Sequence, residues 1–496
     1  MFNWFLRYVL LRGLPPDVVA VCSAHPEIRA LLLFRFMYLF AFHAPVLIPL
    51  LELLAGHRDP ALGVLSLGIA SLTMVLADVP TGLYADRNGA KAALRLGLRL
   101  TCGIMLGFFL LGLWRAWTLS QGHTAGPFVP GIVGLLLLEA AIGVSLALLS
   151  GADTVFFLAV ARRSAIPGLE HSGFEGIGSA IRYFGTLVAV VFGAALYDGA
   201  ALITRSPALR MGLQHSLFLL TLASMAFALR TLNKIPDHRE GSSTSHPLLR
   251  PGFRSIAQAL TVLWRWPRFF WPMWLLCLAS SVSLFSVYVL QSPLSRLTAA
   301  LVRQSALWWP LYTALAAVGY WASSRGSHAW RRQHMRSDGG RPDSSSASRA
   351  TPLLLVAGAV CVLLLYPLAF WLRPHVPAGS GSLLSAAAGM CLLFNYLRGF
   401  VEPYSATALI AFTKDHGLSV PVSLVSVFNS IKRGLHFALS AAFFVLVQRS
   451  GPAASSPDAA LSAVLLWLAM ALVLLILPAL RHTLSATRLD GDNASR

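Results

Sequence analysis

The chain has 496 residues, of which 56% are hydrophobic and only 12% are charged. Soluble domains carry about 25% charged residues, so this composition excludes an ordinary soluble protein. The net charge of +19 does not indicate a nucleic-acid partner, because the basic residues flank apolar segments and form no stripe beside aromatic side chains. Five cysteines without metal-ligand spacing predict neither a metal site nor a disulfide framework.

Apolar stretches long enough to cross a bilayer, which takes roughly 20 residues of helix, recur along the chain and predict an all-α polytopic membrane protein. Residues 1–28 precede them and are interpreted as a cytoplasmic or interfacial segment, because Arg7 and Arg12 interrupt the apolar part expected of a signal peptide. The twelve predicted transmembrane helices comprise residues 29–54, 61–84, 93–114, 128–160, 175–197, 211–232, 269–291, 298–323, 352–372, 382–412, 420–447 and 459–480.

The distribution of basic residues predicts the orientation. An even number of spans places both termini on one side of the membrane. With the termini inside, 26 of the 39 Lys and Arg residues lie in inner segments, 8 in outer segments and 5 within spans. Inner segments of membrane proteins carry the excess of positive charge, so both termini are predicted to be cytoplasmic.

A polar run between the second and third predicted helices is the most specific motif, and it contains Gly82, Asp86, Arg87, Gly89 and Lys91. Its spacing resembles the signature G-x-x-x-D-R/K-x-G-R/K-R/K between helices 2 and 3 of the major facilitator superfamily of transporters. Ala90 departs from the pattern, since the family often has a basic residue there. The preceding residues 78–81, Asp-Val-Pro-Thr, are similar to the lead-in of bacterial members. The matching residues are Gly82, Asp86, Arg87, Gly89 and Lys91.

The resemblance implies two pseudo-symmetric six-helix bundles, here residues 29–232 and 269–480. Residues 233–268 would form a cytoplasmic linker, and residues 324–350, rich in Ser, Gly and Arg, a disordered cytoplasmic loop. Residues 481–496 would be a cytoplasmic tail. A faint internal repeat accompanies this plan. Ser179-x-x-Arg182 in the fifth span corresponds to Ser430-x-x-Arg433 in the eleventh. The run from Gly319 to Gly326 resembles the signature motif but lacks its acidic residue.

The resemblance also implies roles for the signature residues. The acid at Asp86 would approach the start of helix 11, predicted near Ser419 to Pro421, where the positive end of a helix dipole favours a carboxylate. Arg87 and Lys91 would hold the connection to the membrane surface and to neighbouring acids. The alternative interpretation is a charge cluster that only sets the topology.

Residues 150–154, Ser-Gly-Ala-Asp-Thr, resemble a run at the inner end of the fourth helix in many bacterial members. Here the run continues as Val-Phe-Phe and lacks the second acid common in that group. Asp153 is predicted to pair with Arg87 or Arg182 as a contact of the inner gate.

Charges inside spans are costly and therefore indicate function or pairing. In the superfamily, helices 1, 4, 7 and 10 line the central cavity. Arg398 and Glu402 are four residues apart and could pair with each other. Basic residues outnumber acidic ones among these charged candidates, which favours a substrate with an anionic group and an apolar body. The candidates for a substrate or proton pathway are Arg35, Glu139, Arg398, Glu402, Lys432 and Arg433.

Glu139 lies toward the outer end of the fourth span. It could take up a proton from outside and release it inside as the cavity alternates. It could instead form a static ion pair with an arginine of the cavity, or be an acid near the membrane surface. The sequence leaves these three interpretations open.

No nucleotide-binding glycine loop, metal-ligand spacing or nucleophile elbow is present, so neither enzyme activity nor a cofactor is predicted. The expected function is secondary active transport by alternating access in the bacterial cytoplasmic membrane. The lipid bilayer, a small-molecule substrate and protons would be the partners. Export of a small amphipathic molecule is favoured over uptake of a metabolite. A non-transporting membrane sensor or assembly protein is the alternative of another class, and a polytopic membrane enzyme is the least favoured.

Overall fold

The computed structural model describes residues 25–43, 60–122, 128–163, 171–236 and 421–449, together with a few isolated positions between 261 and 277. Apart from two isolated positions in span seven, the predicted spans seven to ten and twelve lie outside these residues. So do residues 1–24, most of the linker, the loop at residues 324–350, the tail, Arg398 and Glu402.

All regular structure in the described part of the chain is helical, as the composition predicts. Five segments there are long and apolar enough to cross a membrane. Each helix overlaps a predicted span, and most extend beyond it by one to two turns. The helices are α1 (Pro26–His43), α2 (Pro60–Asn88), α3 (Ala90–Ser120), α4 (Val129–Leu149), α5 (Ala152–Arg163), α6 (His171–Ile203), α7 (Pro207–Lys234) and α8 (Pro421–Arg449).

The polar signature run is helical, which corrects the predicted spans that end at residue 84 and resume at residue 93. α2 continues through Asp86 and Arg87 to Asn88, and α3 begins at Ala90. Gly89 alone separates the two helices, with φ at +95°. A side chain is rarely tolerated at that φ, so glycine allows the chain to reverse direction within one residue. The motif therefore forms the joined ends of two helices.

The fourth predicted span is broken into two helices, which corrects the prediction of one continuous helix. α4 ends at Leu149 and α5 begins at Ala152. Gly151 between them has φ at +70°. A Cβ at Gly151 would lie 3.2 Å from the carbonyl oxygen of Val422 in α8. Glycine thus permits both the turn and the close approach of α8.

Two apolar clusters hold α1 to α7 together. The cluster near Gly89 joins α1, α3, α5, α6 and α7 and includes the fully buried Leu98 and Phe157. The cluster toward the other end joins α2, α3, α4 and α7. There, Phe108 and Phe218 stack with ring centroids 5.0 Å apart, a geometry that stabilises aromatic pairs beyond their buried area.

α8 packs along α2 in the antiparallel direction. Val422 at its start lies beside Asp86, and His436 four turns later lies beside Ser71. Small residues allow this closeness, as is usual between helices in membranes. Gly434 would place a Cβ 3.8 Å from Val75.

Gly143 of α4 should be intolerant of a side chain. A methyl group there would overlap the backbone carbonyl of Ala70 and the hydroxyl of Thr73 in α2. Because the carbonyl cannot move without the helix, Gly143→Ala is expected to destabilise the protein by about 1–3 kcal/mol. Thermal unfolding of the purified protein measures this loss. Gly103→Ala in α3 is the matched control, since nothing lies within 4 Å of a Cβ there. Equal unfolding temperatures for the two variants would contradict the packing described.

Candidate functional site

A row of polar contacts joins α2 and the α4–α5 turn to α8, which lies more than 250 residues later in the chain. We call these four contacts the polar seam. They lie at three levels of α8 about two turns apart, on or next to the surface that packs against α2. The pairs are Asp86–Val422, Ser150–Asn429, Asp78–Ser430 and Ser71–His436.

Asp86 binds the N-terminus of α8. Its Oδ1 accepts a hydrogen bond from the backbone N–H of Val422 at 3.3 Å. α8 begins at Pro421, within the range predicted from the sequence, and proline has no N–H. The amide of Val422 is therefore the first of the unsatisfied donors at this helix end. A carboxylate is also favoured there by the helix dipole, typically by about 0.3–1 kcal/mol.

The second contact of the seam lies at the turn between α4 and α5. Asn429 Nδ2 donates to Ser150 Oγ at 2.5 Å. The neighbouring Gly151 lies against Val422 and Ser426. The break in the fourth span thus brings a backbone turn of the first half into contact with α8.

Asp78 is the most deeply buried acid of the seam, with none of its surface exposed. Its Oδ2 accepts a hydrogen bond from Ser430 Oγ at 3.0 Å, and its Oδ1 has no hydrogen-bond partner. Lys432 and Arg433 lie close enough to act on it electrostatically. From the sequence alone, Asp78 is only part of the lead-in to the signature motif. Its position inside the predicted span 61–84 was the signal that could have identified it.

Asp153 pairs with Arg35 of α1, which corrects the predicted pairing with Arg87 or Arg182. Arg35 Nε donates to Asp153 Oδ1 at 3.1 Å, and Arg35 is completely buried. The guanidinium carbon also lies 3.6 Å from the centroid of the Phe157 ring. The pairing has a simple physical cause: an arginine in the core requires a nearby opposite charge, and Asp153 also lies in that core. Arg35 is thus part of a buried ion pair.

Lys91 does not hold the helix connection to the membrane surface, which corrects a second prediction. Lys91 is 3% exposed and its Nζ donates to the carbonyl oxygen of Ile235, the C-cap of α7. Carbonyls at a helix C-terminus lack intrahelical partners and attract cations. Lys91 therefore ties the α2–α3 connection to the end of α7. Arg87, by contrast, is exposed.

Glu139 is buried in α4, with 1% of its surface exposed and no hydrogen-bond partner for Oε1. The interpretation as a near-surface acid is therefore wrong for this structure. Glu139 also forms no ion pair with any residue that the structure describes, so a static pair there lacks support. The interpretation as a proton carrier stays a prediction.

Lys432 and Arg433 of α8 are both half-buried. Arg433 lies in electrostatic range of Asp78, Tyr38 and His436. Its Nε has no hydrogen-bond partner. The structure thus brings Arg433 to the seam, where it lies near Asp78 without pairing with it.

Comparison with solved structures identifies the fold. The chain is similar to a Major Facilitator Superfamily transporter, FucP, whose crystal structure is of the outward conformation. The alignment covers 92% of this chain and 98% of that one, with a TM-score of 0.54 and 14% sequence identity. No family model matches the sequence, and no curated protein matches it either. The chain therefore has the major facilitator fold, and with its apolar helices it is a multi-pass integral membrane protein.

The Arg35–Asp153 pair can be tested by a double-mutant cycle. Arg35→Gln or Asp153→Asn alone leaves one buried charge without compensation, so each is expected to destabilise the protein by about 3–5 kcal/mol. The double variant removes both charges and should be more stable than the sum of the single losses predicts. Thermal or denaturant unfolding in detergent measures all three. Additive losses would show that the two side chains do not act as a pair.

Proposed function

We propose that the chain is a secondary active transporter that works by alternating access in a bacterial cytoplasmic membrane. The polar seam carries this proposal. It joins the two halves of a major facilitator fold through hydrogen bonds that are individually weak, about 0.5–1.5 kcal/mol each. Such an interface can separate and reform at the modest energies that conformational cycling requires.

The seam would be the closed inner gate. The excess of positive charge in inner segments predicts that the Gly89 end of α2 faces the cytoplasm. Asp86 and Asp78, in the half of α2 nearest Gly89, and Ser150 of the α4–α5 turn all bind α8 on this side. An outward-facing arrangement requires the cytoplasmic side to be closed. Release of these contacts would open the cavity to the cytoplasm.

Export of a small amphipathic molecule in exchange for protons is the mode we propose, with uptake of a small organic metabolite as the alternative. Glu139 supports proton exchange because it is a buried acid in a membrane-spanning helix and forms no ion pair with the residues that the structure describes. Buried ionisable groups in transporters commonly mark proton pathways. A non-transporting sensor or assembly protein with the same fold is the alternative of another class, and it predicts no movement of any compound.

Asp86→Asn should weaken the closed inner gate. The variant loses the charge at the α8 N-terminus, which at about 0.3–1 kcal/mol corresponds to a shift of roughly two- to fivefold toward the open state. The measurement is the rate at which a cytoplasmic thiol reagent labels Ser426→Cys, a buried position of α8, in a background without native cysteines. Transport should slow in parallel.

Asn88→Ala is the control for this measurement, because Asn88 is exposed and its side chain, among the residues that the structure describes, bonds only the carbonyl of Tyr84 in its own helix. Labelling and transport in that variant should match the parent protein. If Asp86→Asn leaves both rates unchanged, the gating role of Asp86 is wrong.

Transport of a broad metabolite and drug panel into inside-out vesicles, with and without an imposed pH gradient, tests the function itself. Accumulation that depends on the gradient establishes a proton-coupled exporter. Glu139→Gln should then abolish gradient-driven accumulation and retain exchange of substrate across the membrane without a gradient. His215→Gln is the control, since His215 is equally buried in the same bundle. Absence of movement here and in right-side-out vesicles would favour the non-transporting alternative.

A further inference from the structure

The packed helices α3 and α7 carry basic residues at both ends and contain no acidic residue. At the end nearest Gly89, Arg95 and Arg99 lie in the second and third turns of α3. Neither arginine forms an ion pair within the part of the chain that the structure describes. Nε of Arg95 is also shielded from solvent without a hydrogen-bond partner. The two arginines therefore have no compensating charge on the helices that surround them.

Two contacts fix the register of α3 against α7. Lys91 Nζ donates to the carbonyl oxygen of Ile235, and Phe108 stacks on Phe218 with ring centroids 5.0 Å apart. Residue numbers rise along α3 and fall along α7 between these contacts, so the helices are antiparallel. Each helix advances 17 residues from the first contact to the second. The two helices therefore run in step, and residues between the contacts can be matched by level.

Arg95, Arg99 and Asn233 lie on the same side of this interface. Each arginine follows a fully buried leucine of α3 by one residue, and Asn233 follows the fully buried Leu232 of α7. One residue is a rotation of about 100° around a helix, which moves a side chain from the packed surface to its edge. Equal offsets lie on the same side of an antiparallel pair, because a two-fold axis relates the helices. Donors from both helices thus line one edge of the interface.

The exposed face of α3 places Arg99 at the depth of lipid headgroups. This face runs from Arg99 through Leu106 and Leu110 to Trp114 and Trp117. Tryptophan is enriched where the membrane meets water. Arg99 precedes Trp117 by 18 residues, or about 27 Å of helix, which is close to the hydrocarbon thickness of about 30 Å. With Trp117 at one interface, Arg99 lies at the other, among the phosphates of that leaflet.

An apolar surface continues from the arginines toward the middle of the membrane. Gly103 is exposed one turn beyond Arg99, and nothing lies within 4 Å of a Cβ built there. Leu106 follows and is 42% exposed. The glycine thus leaves a shallow depression between two larger side chains. A phospholipid matches both parts, since its phosphate suits the planar fork of arginine and its chains suit this surface. A soluble phosphate would use the arginines alone.

We propose that Arg95, Arg99 and Asn233 bind the headgroup of an anionic phospholipid whose acyl chains lie along Gly103 and Leu106. Basic pockets between membrane helices on the cytoplasmic side are suited to such headgroups, and the charge distribution predicts that this end is cytoplasmic. The two arginines are one turn apart on one face, where like charges repel, and a bound phosphate relieves that repulsion. The lipid would contact both α3 and α7 and stabilise their packing. This site does not depend on the proposed transport function.

Lipid selectivity of the parent protein is the first test. The purified full-length protein in dodecylmaltoside is titrated with dioleoylphosphatidylglycerol or dioleoylphosphatidylcholine, and the unfolding temperature is measured. Phosphatidylglycerol should raise this temperature more than phosphatidylcholine, because a ligand that binds the folded state stabilises it. Equal stabilisation by the two lipids would overturn the proposal, since the shared acyl chains would account for it. Equal stabilisation by glycerol 3-phosphate would overturn it in favour of a soluble phosphate.

Substitutions of the arginines locate the site. Arg99→Gln should weaken phosphatidylglycerol binding about fivefold, which corresponds to about 1 kcal/mol for one arginine near an anionic headgroup. The double variant Arg95→Gln/Arg99→Gln should weaken it about 25-fold. Arg99→Lys keeps the charge and should lose less than Arg99→Gln. The lipid concentration at half-maximal stabilisation measures each loss. Parental affinity in Arg99→Gln would refute the assignment, and this variant serves if the double variant does not fold.

Arg230→Gln is the matched control. Arg230 is exposed, and the register places it level with residue 96 of α3, at the depth of the proposed site. It lies two residues from each of the buried Ala228 and Leu232, so it projects from the side of α7 away from α3. Its replacement removes the same charge and should change the affinity by less than about twofold. A loss equal to that of Arg99→Gln would show diffuse attraction to a basic surface and overturn the site.

Discussion

The cost of an unsatisfied charge in an apolar medium governs the arrangement of the described helices. Arg35 in the core of the first half is compensated by Asp153 and by the face of Phe157. Lys91 Nζ donates a hydrogen bond to the carbonyl oxygen of Ile235, which has no N–H partner within its own helix. These contacts fix how α1, α3, α5 and α7 lie relative to one another, and the apolar clusters fill the space between them.

Contacts within the first half and contacts across the seam differ in strength. Breaking a buried ion pair such as Arg35–Asp153 is costly, about 3–5 kcal/mol, so α1 and α5 should stay together through any cycle. The seam uses hydrogen bonds in which one partner at most is charged, for example Asp78 with Ser430 and Asp86 with Val422. A rigid half and a separable interface are what rocking of two bundles about a central site requires.

Glu139 and Arg433 are among the ionisable side chains that form no ion pair within the part of the chain that the structure describes. Glu139 is an acid buried in α4, and Arg433 is a base on α8 beside the seam. A buried carboxyl without an ion pair can carry a proton, which is the role proposed for Glu139.

The sequence by itself determined the class of protein, the approximate positions of the described helices apart from the break in the fourth span, and the start of α8, because hydrophobic length and proline are local signals. It also identified the signature residues and most of the charged residues in the spans, including Arg35, Glu139 and Arg433. Only the tertiary structure decided their partners. Arg35 and Asp153 are 118 residues apart and Ser71 and His436 are 365 apart, so no periodicity records these pairs. The single-residue connection at Gly89, the break at Gly151 and the buried position of Lys91 likewise depend on what packs against them. Charge pairing in an apolar interior is decided by which groups meet, and that is a property of the folded chain.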